Sequence, residues 1–380
     1  MSIATALVAG DEALPQLAET TVRQTLEKAG LTHASGILLF LTPDFARHAQ
    51  QAVTAAARAA QCTQVAGGIA AGVFTESGWV LDRPAAAVMV FGNGLALGHP
   101  QASGEAGEPV LSYGGSTFAA DWQQGAPRFG GNFTGTVGYA DPVVWQQGRL
   151  AENKGCSIQL LGARTRVGLS TGLRLLGDPQ RIESSSGYDL ESLGGLAARE
   201  SLQRALPPEY RKHSPLPLHL LSAVLIDDEN CRSSEDARAA VADGRSSPLA
   251  IIALNPDRSL TLAERTFPGQ KLAWAIRQPL SAEADMRQTL ERLAAVTPEP
   301  DAALLFSCIG RGPYFYGCED RDLDALRERF PGLPLLGTYS TGQIAPGSGA
   351  GQRINRSLQN AAVAALITGN PKEAHVQSIT

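Results

Sequence analysis

Basic residues are too few in this chain to make a nucleic-acid surface. Lysine and arginine total 32 against 37 aspartates and glutamates, a net charge of -5. The densest basic cluster is only Arg211-Lys212-His213. A groove that follows a phosphate backbone needs a basic stripe or face, so no nucleic-acid partner is expected. Long apolar runs are also missing. No stretch approaches the ~20 apolar residues of a membrane-crossing helix, and no basic segment leads into an apolar one near Met1. Neither membrane insertion nor a signal peptide is therefore expected. The cysteines number five and are scattered: Cys62, Cys156, Cys231, Cys308 and Cys318. An odd, dispersed set in a large chain argues against a disulfide framework and fits reduced thiols in the cytoplasm.

The motifs of common enzymes are missing too. There is no Walker A loop, no HExxH and no GxSxG elbow. Gly347-Ser-Gly-Ala-Gly351 imitates a dinucleotide loop, but Gln352 stands where the last glycine belongs. Cys308 and Cys318 are too far apart for a CxxC pair, so neither a zinc knuckle nor a thioredoxin-like motif is supported. The acidic triplet Asp227-Asp228-Glu229 ends an apolar run and reads either as a cation site or as a solvated loop. A protein that is not an enzyme is expected.

What is present is a chain of 380 residues, 43% hydrophobic, long enough for two domains of ordinary size. Its most informative feature is a pattern that occurs twice. The later copy runs apolar strand (302–306), glycine-rich loop (307–317), helix (320–330), strand (333–336), Gly337-Thr-Tyr-Ser-Thr-Gly342 and a closing strand (361–367). The earlier, looser copy runs 36–41, a helix from 43 to about 60, 64–65, Gly67-Gly-Ile-Ala-Ala-Gly72 and 85–91. Two matched halves predict a pseudo-symmetric molecule with a seam.

Between the copies the texture varies. Helical spacing predicts a helix over 14–29, with Leu17, Val22 and Leu26 on one side. Thr42 and Pro43 fit a helix N-cap and first position. From 72 to 176 short β-like runs alternate with glycine turns, with strands expected at 88–91, 135–139, 157–161 and 165–170. The polar, glycine-rich stretch 101–115 reads as a loop. Leu190, Leu193, Leu196 and Ala197 predict a helix over 187–206, stopped by Pro207-Pro208. Strands are expected at 218–226, 249–254, 261–262 and 272–276, with a Pro268-Gly269 turn and a helix over 282–295. The order is mixed and not a regular βαβα alternation. It predicts an α/β (mixed α+β) fold with mixed sheets packed centrally and helices outside, divided near the proline-rich stretch 206–217 into domains 1–206 and 207–380.

Phe306-Ser-Cys-Ile-Gly-Arg-Gly312, Leu323 to Phe330, and Leu335-Leu-Gly-Thr-Tyr-Ser-Thr-Gly-Gln-Ile344 together resemble the C-terminal signature of the FIST family (F-box and intracellular signal transduction). Pro268-Gly-Gln-Lys-Leu272 fits the same pattern. Gly172, Gly177, Ile182-Glu-Ser-Ser-Ser-Gly-Tyr-Asp-Leu190 and Leu193-Gly-Gly-Leu-Ala197 resemble the end of the FIST N-terminal region and its join to the C-terminal part. The resemblance implies a small-ligand sensor in intracellular signal transduction, with amino acids among the proposed ligands. It also implies an alternative, a haem-based nitric oxide sensor acting on a histidine kinase. No kinase, cyclase or F-box segment is evident, so a separate signalling partner is expected. Two departures stand out. Gly68-Ile69-Ala70-Ala71-Gly72-Val73 lacks the polar residues common at that turn in the family, and Gln343 stands where Glu is common.

The expected ligand-binding set is Cys308, Arg311, Gly312, Tyr339, Ser340, Thr341 and Gln343, with no catalytic residue and no metal. Arg311, between two glycines, reads either as a fork for a carboxylate or phosphate or as a turn arginine. Tyr339, Ser340 and Thr341 supply three hydroxyls and Gln343 an amide, either for a small polar ligand or for capping local backbone. Cys308 reads as an inert buried thiol or as a reactive one activated by Arg311. Haem would need an axial ligand. His213 and His219 flank the central passage, but no spacing singles them out, so haem rests on the resemblance alone.

Overall fold

The run Gly36–Leu41 is buried along its whole length because it lies at the centre of a sheet. It pairs in parallel with Val65–Ile69 and antiparallel with Ala85–Phe91. Leu38 and Phe40 enter one core, while Ile37, Leu39 and Leu41 enter another. This is the period of two expected of a strand covered on both faces. The computed structural model describes residues 2–92, 94–100, 107–114, 120–134, 142–153, 155–349 and 352–370. It divides into two compact units. One comprises Met1–Leu169, Met286–Pro346 and Asn355–Thr380; the other comprises Ser170–Asp285 and Gly347–Ile354.

Two six-stranded sheets of the first unit share a core. The first runs Ile3–Ala9, Ala85–Phe91, Gly36–Leu41, Val65–Ile69, Val144–Gln146, Arg149–Leu150. The second runs Ala163–Ser170, Ala362–Gly369, Ala302–Cys308, Leu335–Ser340, Gly72–Thr75, Gly78–Val80. Each has a parallel pair at its centre, an antiparallel strand on one side and a hairpin on the other. The hairpin of the second sheet comes from the N-terminal stretch. It leaves the first sheet just after Val65–Ile69 and pairs Gly72 with Tyr339. Glu76 at its tip accepts from Leu335 N (3.1 Å) and from Lys28 Nζ (2.5 Å), tying the hairpin to its host strand and to helix Pro15–Ala29.

Helices Pro15–Ala29 and Ala49–Ala60 cover the outer face of the first sheet. Helix Arg321–Arg329 and residues 286–296 of helix Pro279–Val296 cover that of the second. A third sheet runs Gln352–Leu358, Gly342–Gly349, Arg128–Asn132, Val110–Gly114, Gly155–Leu161, Ala96–Gly98 and adds Leu111, Tyr113, Phe129 and Ile158 to the central core. The fold is mixed α/β, with mixed sheets inside and helices outside.

The second unit is a ring. Lys271–Arg277, Gln180–Ser186, Asp189–Leu193, Leu260–Leu262, Ser246–Leu254 and Leu221–Ile226 pair in turn, all antiparallel, and the last returns to the first. Closure removes free edges. Ile182, Leu190, Leu225, Ile251, Leu260 and Trp274 fill the inside. The 206/207 boundary expected from the prolines falls within this unit, between Ala198–Ala205 and Pro208–Arg211.

Several local expectations are corrected. The helix expected from 43 is a 3-10 turn, Pro43–Phe45, followed by Ala49–Ala60. Thr42 Oγ1 accepts from Ala85 N (2.9 Å) and so does not cap a helix, and buried Phe45 anchors the turn in the outer core. The first half of 187–206 is strand Asp189–Leu193 and bridge Leu196–Ala197, and the helix begins only at Ala198. Gly194 and Gly195, with φ of 59° and 78°, make a turn that no right-handed helix contains. Within 101–115, Val110–Gly114 is a buried strand. The strand expected at 135–139 lies outside the described residues. Helix Ser234–Ala242, with a capping box between Ser233 and Asp236, is additional to those expected. The acidic triplet is organised by protein groups: Lys271 Nζ donates to the carbonyls of Glu229 and Cys231, and Arg245 Nη1 lies 2.5 Å from Asp228.

Candidate functional site

The parallel strands Ala302–Cys308 and Leu335–Ser340 end side by side, with Cys308 opposite Ser340. All seven residues of the expected site gather at this end. Strand alternation then divides them. Leu304, Phe306 and Leu336 face the central core, whereas Leu305, Leu335 and Tyr339 face the helices. Cys308 and Ser340 continue the inner row. Tyr339 and Arg311 lie on the helix side.

On the helix side, Arg311 is 1% exposed. Its Nε and Nη2 donate to the two carboxylate oxygens of Asp322 at 2.8 and 2.9 Å. Asp322 is wholly buried and also accepts from Tyr316 Oη at 3.0 Å. A guanidinium that is buried and already neutralised by a bidentate carboxylate is closed to an outside anion. Arg311 therefore clamps loop to helix, and the anion-gripping role expected of it does not fit this geometry. Asp320, two residues earlier, caps the same helix by accepting from Leu323 N (3.0 Å) and also accepts the Tyr339 hydroxyl proton. Burial, reinforced by the neighbouring Asp322 charge, pushes the Asp320 carboxyl up to about 6, against the opposing Tyr339 and Leu323 hydrogen bonds. Burial, then Asp320 itself, raises the Tyr339 phenol, which keeps the shared proton on the tyrosine. At Gly312 a Cβ would lie 3.3 Å from the Tyr339 ring, so the glycine lets that ring pack beneath the loop.

On the inner side the groups are neutral. Thr341 Oγ1 has the carbonyls of Asn132 (3.0 Å) and Thr134 (2.8 Å) as acceptors for its one proton, and Thr341 N donates to Asn132 O (2.9 Å). Ser340 Oγ donates to Gly342 O and accepts from Gln343 Nε2, both at 3.1 Å. Gln343 Oε1 accepts from Ala361 N at 3.3 Å. Cys308 Sγ lies 3.9 Å from both Thr341 O and Asn360 Oδ1. Thr338 Oγ1, one step down this row, is buried with no hydrogen-bond partner among the described residues. The floor is aromatic: Phe40 meets Phe306, Tyr113 and Phe133 with ring centroids 5.7–6.2 Å apart. Gly131 permits this closeness, since a Cβ there would lie 3.0 Å from Ser340 Oγ and 3.2 Å from the Phe306 ring.

Asp320, Asp322, Tyr316, Asn132, Thr134 and Asn360 were not foreseen. Asp320 had a legible signal, as a capping residue before a helix. Asn132 and Thr134 had none, since over 200 residues separate them from Thr341. His213 and His219 lie exposed in the second unit. Among the described residues no group of three His, Cys, Asp or Glu side chains is placed to hold a metal ion.

Residues 208–346 match the model of the FIST C domain. Over this stretch the chain is similar to FIST C domains. Its FIST C segment contains the whole Arg311–Asp322–Tyr339 network and Ser340 to Gln343, and stops short of Asn360. Uncharacterized proteins of Mycobacterium bovis and Mycobacterium tuberculosis are each 29% identical to the chain over 194 residues, half of this chain and 48% of theirs. F-box only protein 22 of Pongo abelii is 32% identical over 85 residues, 21% of each chain. The alignments thus span about half the length of the mycobacterial relatives. FIST domains are associated with sensing in signal transduction.

Proposed function

We propose that this FIST C protein is a non-enzymatic, cytoplasmic sensor. It holds a small polar ligand, an amino acid or another small anion, on the inner side of the parallel-strand ends. Ligands of α/β sheets commonly sit beyond the carboxyl ends of parallel strands. A pocket that is mostly apolar with a few placed polar groups is the usual anatomy. The observation that carries the reading is the convergence of Cys308, Thr341, Gln343, Asn132, Thr134 and Asn360 over the Phe40–Phe306–Phe133 floor, next to the unpartnered Thr338 hydroxyl. Arg311, Gly312 and Tyr339 serve as supports that fix the loop after Cys308. The like order of strands in the two main sheets fits a duplication in which only the second copy kept a polar end. The equivalent end of the first copy is Ile69-Ala70-Ala71. Ligand binding would shift an equilibrium between conformations by differential affinity, read by a separate signalling partner.

A thermal-shift screen of the twenty amino acids and a panel of small organic anions tests this. A saturable stabiliser is expected, and Thr341→Val, which removes the hydroxyl that holds the Asn132 and Thr134 carbonyls in place, should weaken it about ten-fold. Arg311→Lys should lower the melting temperature while leaving the ligand's Kd unchanged. Failure of every compound, or unchanged binding in Thr341→Val, would remove the proposal.

A further inference from the structure

On the face of the third sheet turned away from the central core, one arginine is held in place without a counter-ion. Leu111, Tyr113, Phe129, Cys156 and Ile158 all point into that core, so their neighbours Ser112, Arg128 and Ser157 point the other way. Arg128 Nη1 donates to Ser112 Oγ and Ser157 Oγ, both at 2.9 Å. The guanidinium lies over the Trp122 ring, 5.0 Å from its centroid. Asn355 fixes the loop that carries both residues. Its Oδ1 accepts from Arg128 N (2.8 Å), and its Nδ2 donates to the carbonyls of Trp122 (2.8 Å) and Ala126 (2.9 Å).

A guanidinium has five N–H donors. Two are satisfied by the serines. Nε is buried with no acceptor, and Nη2 has none among the described residues. Among those residues no carboxylate lies within ion-pair distance of Arg128; Asp121 favours its charge only from further away, against the burial that lowers its pKa. Ser112 passes its own proton to Val110 O (3.3 Å). Ser157, used only as an acceptor by Arg128, retains a hydroxyl proton with no acceptor among the described residues. Nη1 and Nη2 share one carbon, so this proton and the Nη2 donors lie within the span of one small anion. A side chain of such rotamer freedom loses entropy when it is ordered, and here it is ordered before any partner arrives, which favours binding.

We propose that Arg128, with Ser157 and the Trp122 face, forms an oxyanion-binding site, separate from the Thr341 cluster, for a small molecule bearing a carboxylate or phosphate. The bound oxyanion accepts from Nη2 and from the Ser157 hydroxyl, while Trp122 and Ser112 hold the guanidinium flat. The site stands whether or not the strand-end cluster binds a ligand.

The full chain is titrated separately with sodium phosphate and sodium acetate, against sodium chloride at matched ionic strength. Tryptophan fluorescence is followed, with Trp122→Phe to isolate the reporting ring. A saturable change with at least one of the two anions is expected, and the anion that produces it fixes the class. Arg128→Gln should weaken it at least about ten-fold, and Ser157→Ala, which leaves the arginine in place, several-fold. Thr341→Val should leave it unaltered. A response no larger than that to chloride would overturn the proposal, as would a saturable response that survives in Ser157→Ala and Arg128→Gln alike.

Discussion

Asp320 offers a test of the buried network in which a conservative substitution should stabilise the protein. Two carboxylates, Asp320 and Asp322, lie buried at the start of one helix, and a single arginine answers Asp322. Asp320 has the Tyr339 hydroxyl and one backbone N–H, which do not offset its desolvation, and its carboxyl rises from 3.8 to about 6. A folded pKa above the unfolded one means that the folded state binds the extra proton between these values. The contribution of this one carboxyl to stability is then greatest below about pH 4, falls as pH rises towards 6, and is flat above. At about 1.4 kcal/mol per pH unit of displacement, roughly 3 kcal/mol is withheld at neutral pH. An asparagine side chain at this position would keep the cap, since Asn and Asp rank alike there, and carries no charge to desolvate. Asp320→Asn should therefore raise the unfolding free energy at pH 7 by about 2–3 kcal/mol and abolish the decline between pH 4 and 6. Urea titrations of both proteins at half-unit intervals from pH 4 to 8 measure the two curves. If Asp320→Asn is no more stable than the parent at pH 7, or if the curves run parallel, the burial argument fails.

Asp322→Ala leaves Arg311 charged and without its carboxylate in the core and should cost about 3–5 kcal/mol, whereas the apolar pair Arg311→Met with Asp322→Leu should recover most of that loss in the same urea assay. Gly337→Ala should prevent the parent fold from forming, because a Cβ there would sit 1.9 Å from the Phe74 ring of the incoming hairpin. Far-UV circular dichroism and size-exclusion elution of Gly337→Ala beside a Phe74→Ala, Gly337→Ala double variant check this, with partial recovery expected only in the double.

The central strands were readable because a strand buried on both faces is an unbroken apolar run. Gly36–Leu41, Ala85–Phe91 and Ala302–Cys308 all show it. Helix Arg321–Arg329 was expected within 320–330, although its Asp320 cap was not picked out. The 187–197 stretch misled because leucines three apart suit a helix equally well, until Gly194-Gly195 is seen to turn the chain. The seven residues named from the sequence lie at one end of one strand pair. Their roles were not readable. Tyr339 and Ser340 are neighbours in sequence, yet one supports a helix cap and the other faces the aromatic floor.

From local order alone, the sequence determined the buried central strands, several of the helices and which loops carry polar groups, because hydrophobic period and capping act over a few residues, whereas 110–114 and 187–197 were not fixed that way. Tertiary structure decided which sheet the 72–80 hairpin joins, that Arg311 meets Asp322, and that Thr341 meets Asn132 and Thr134. Those outcomes depend on the face a strand presents and on what packs against it, which no local pattern encodes.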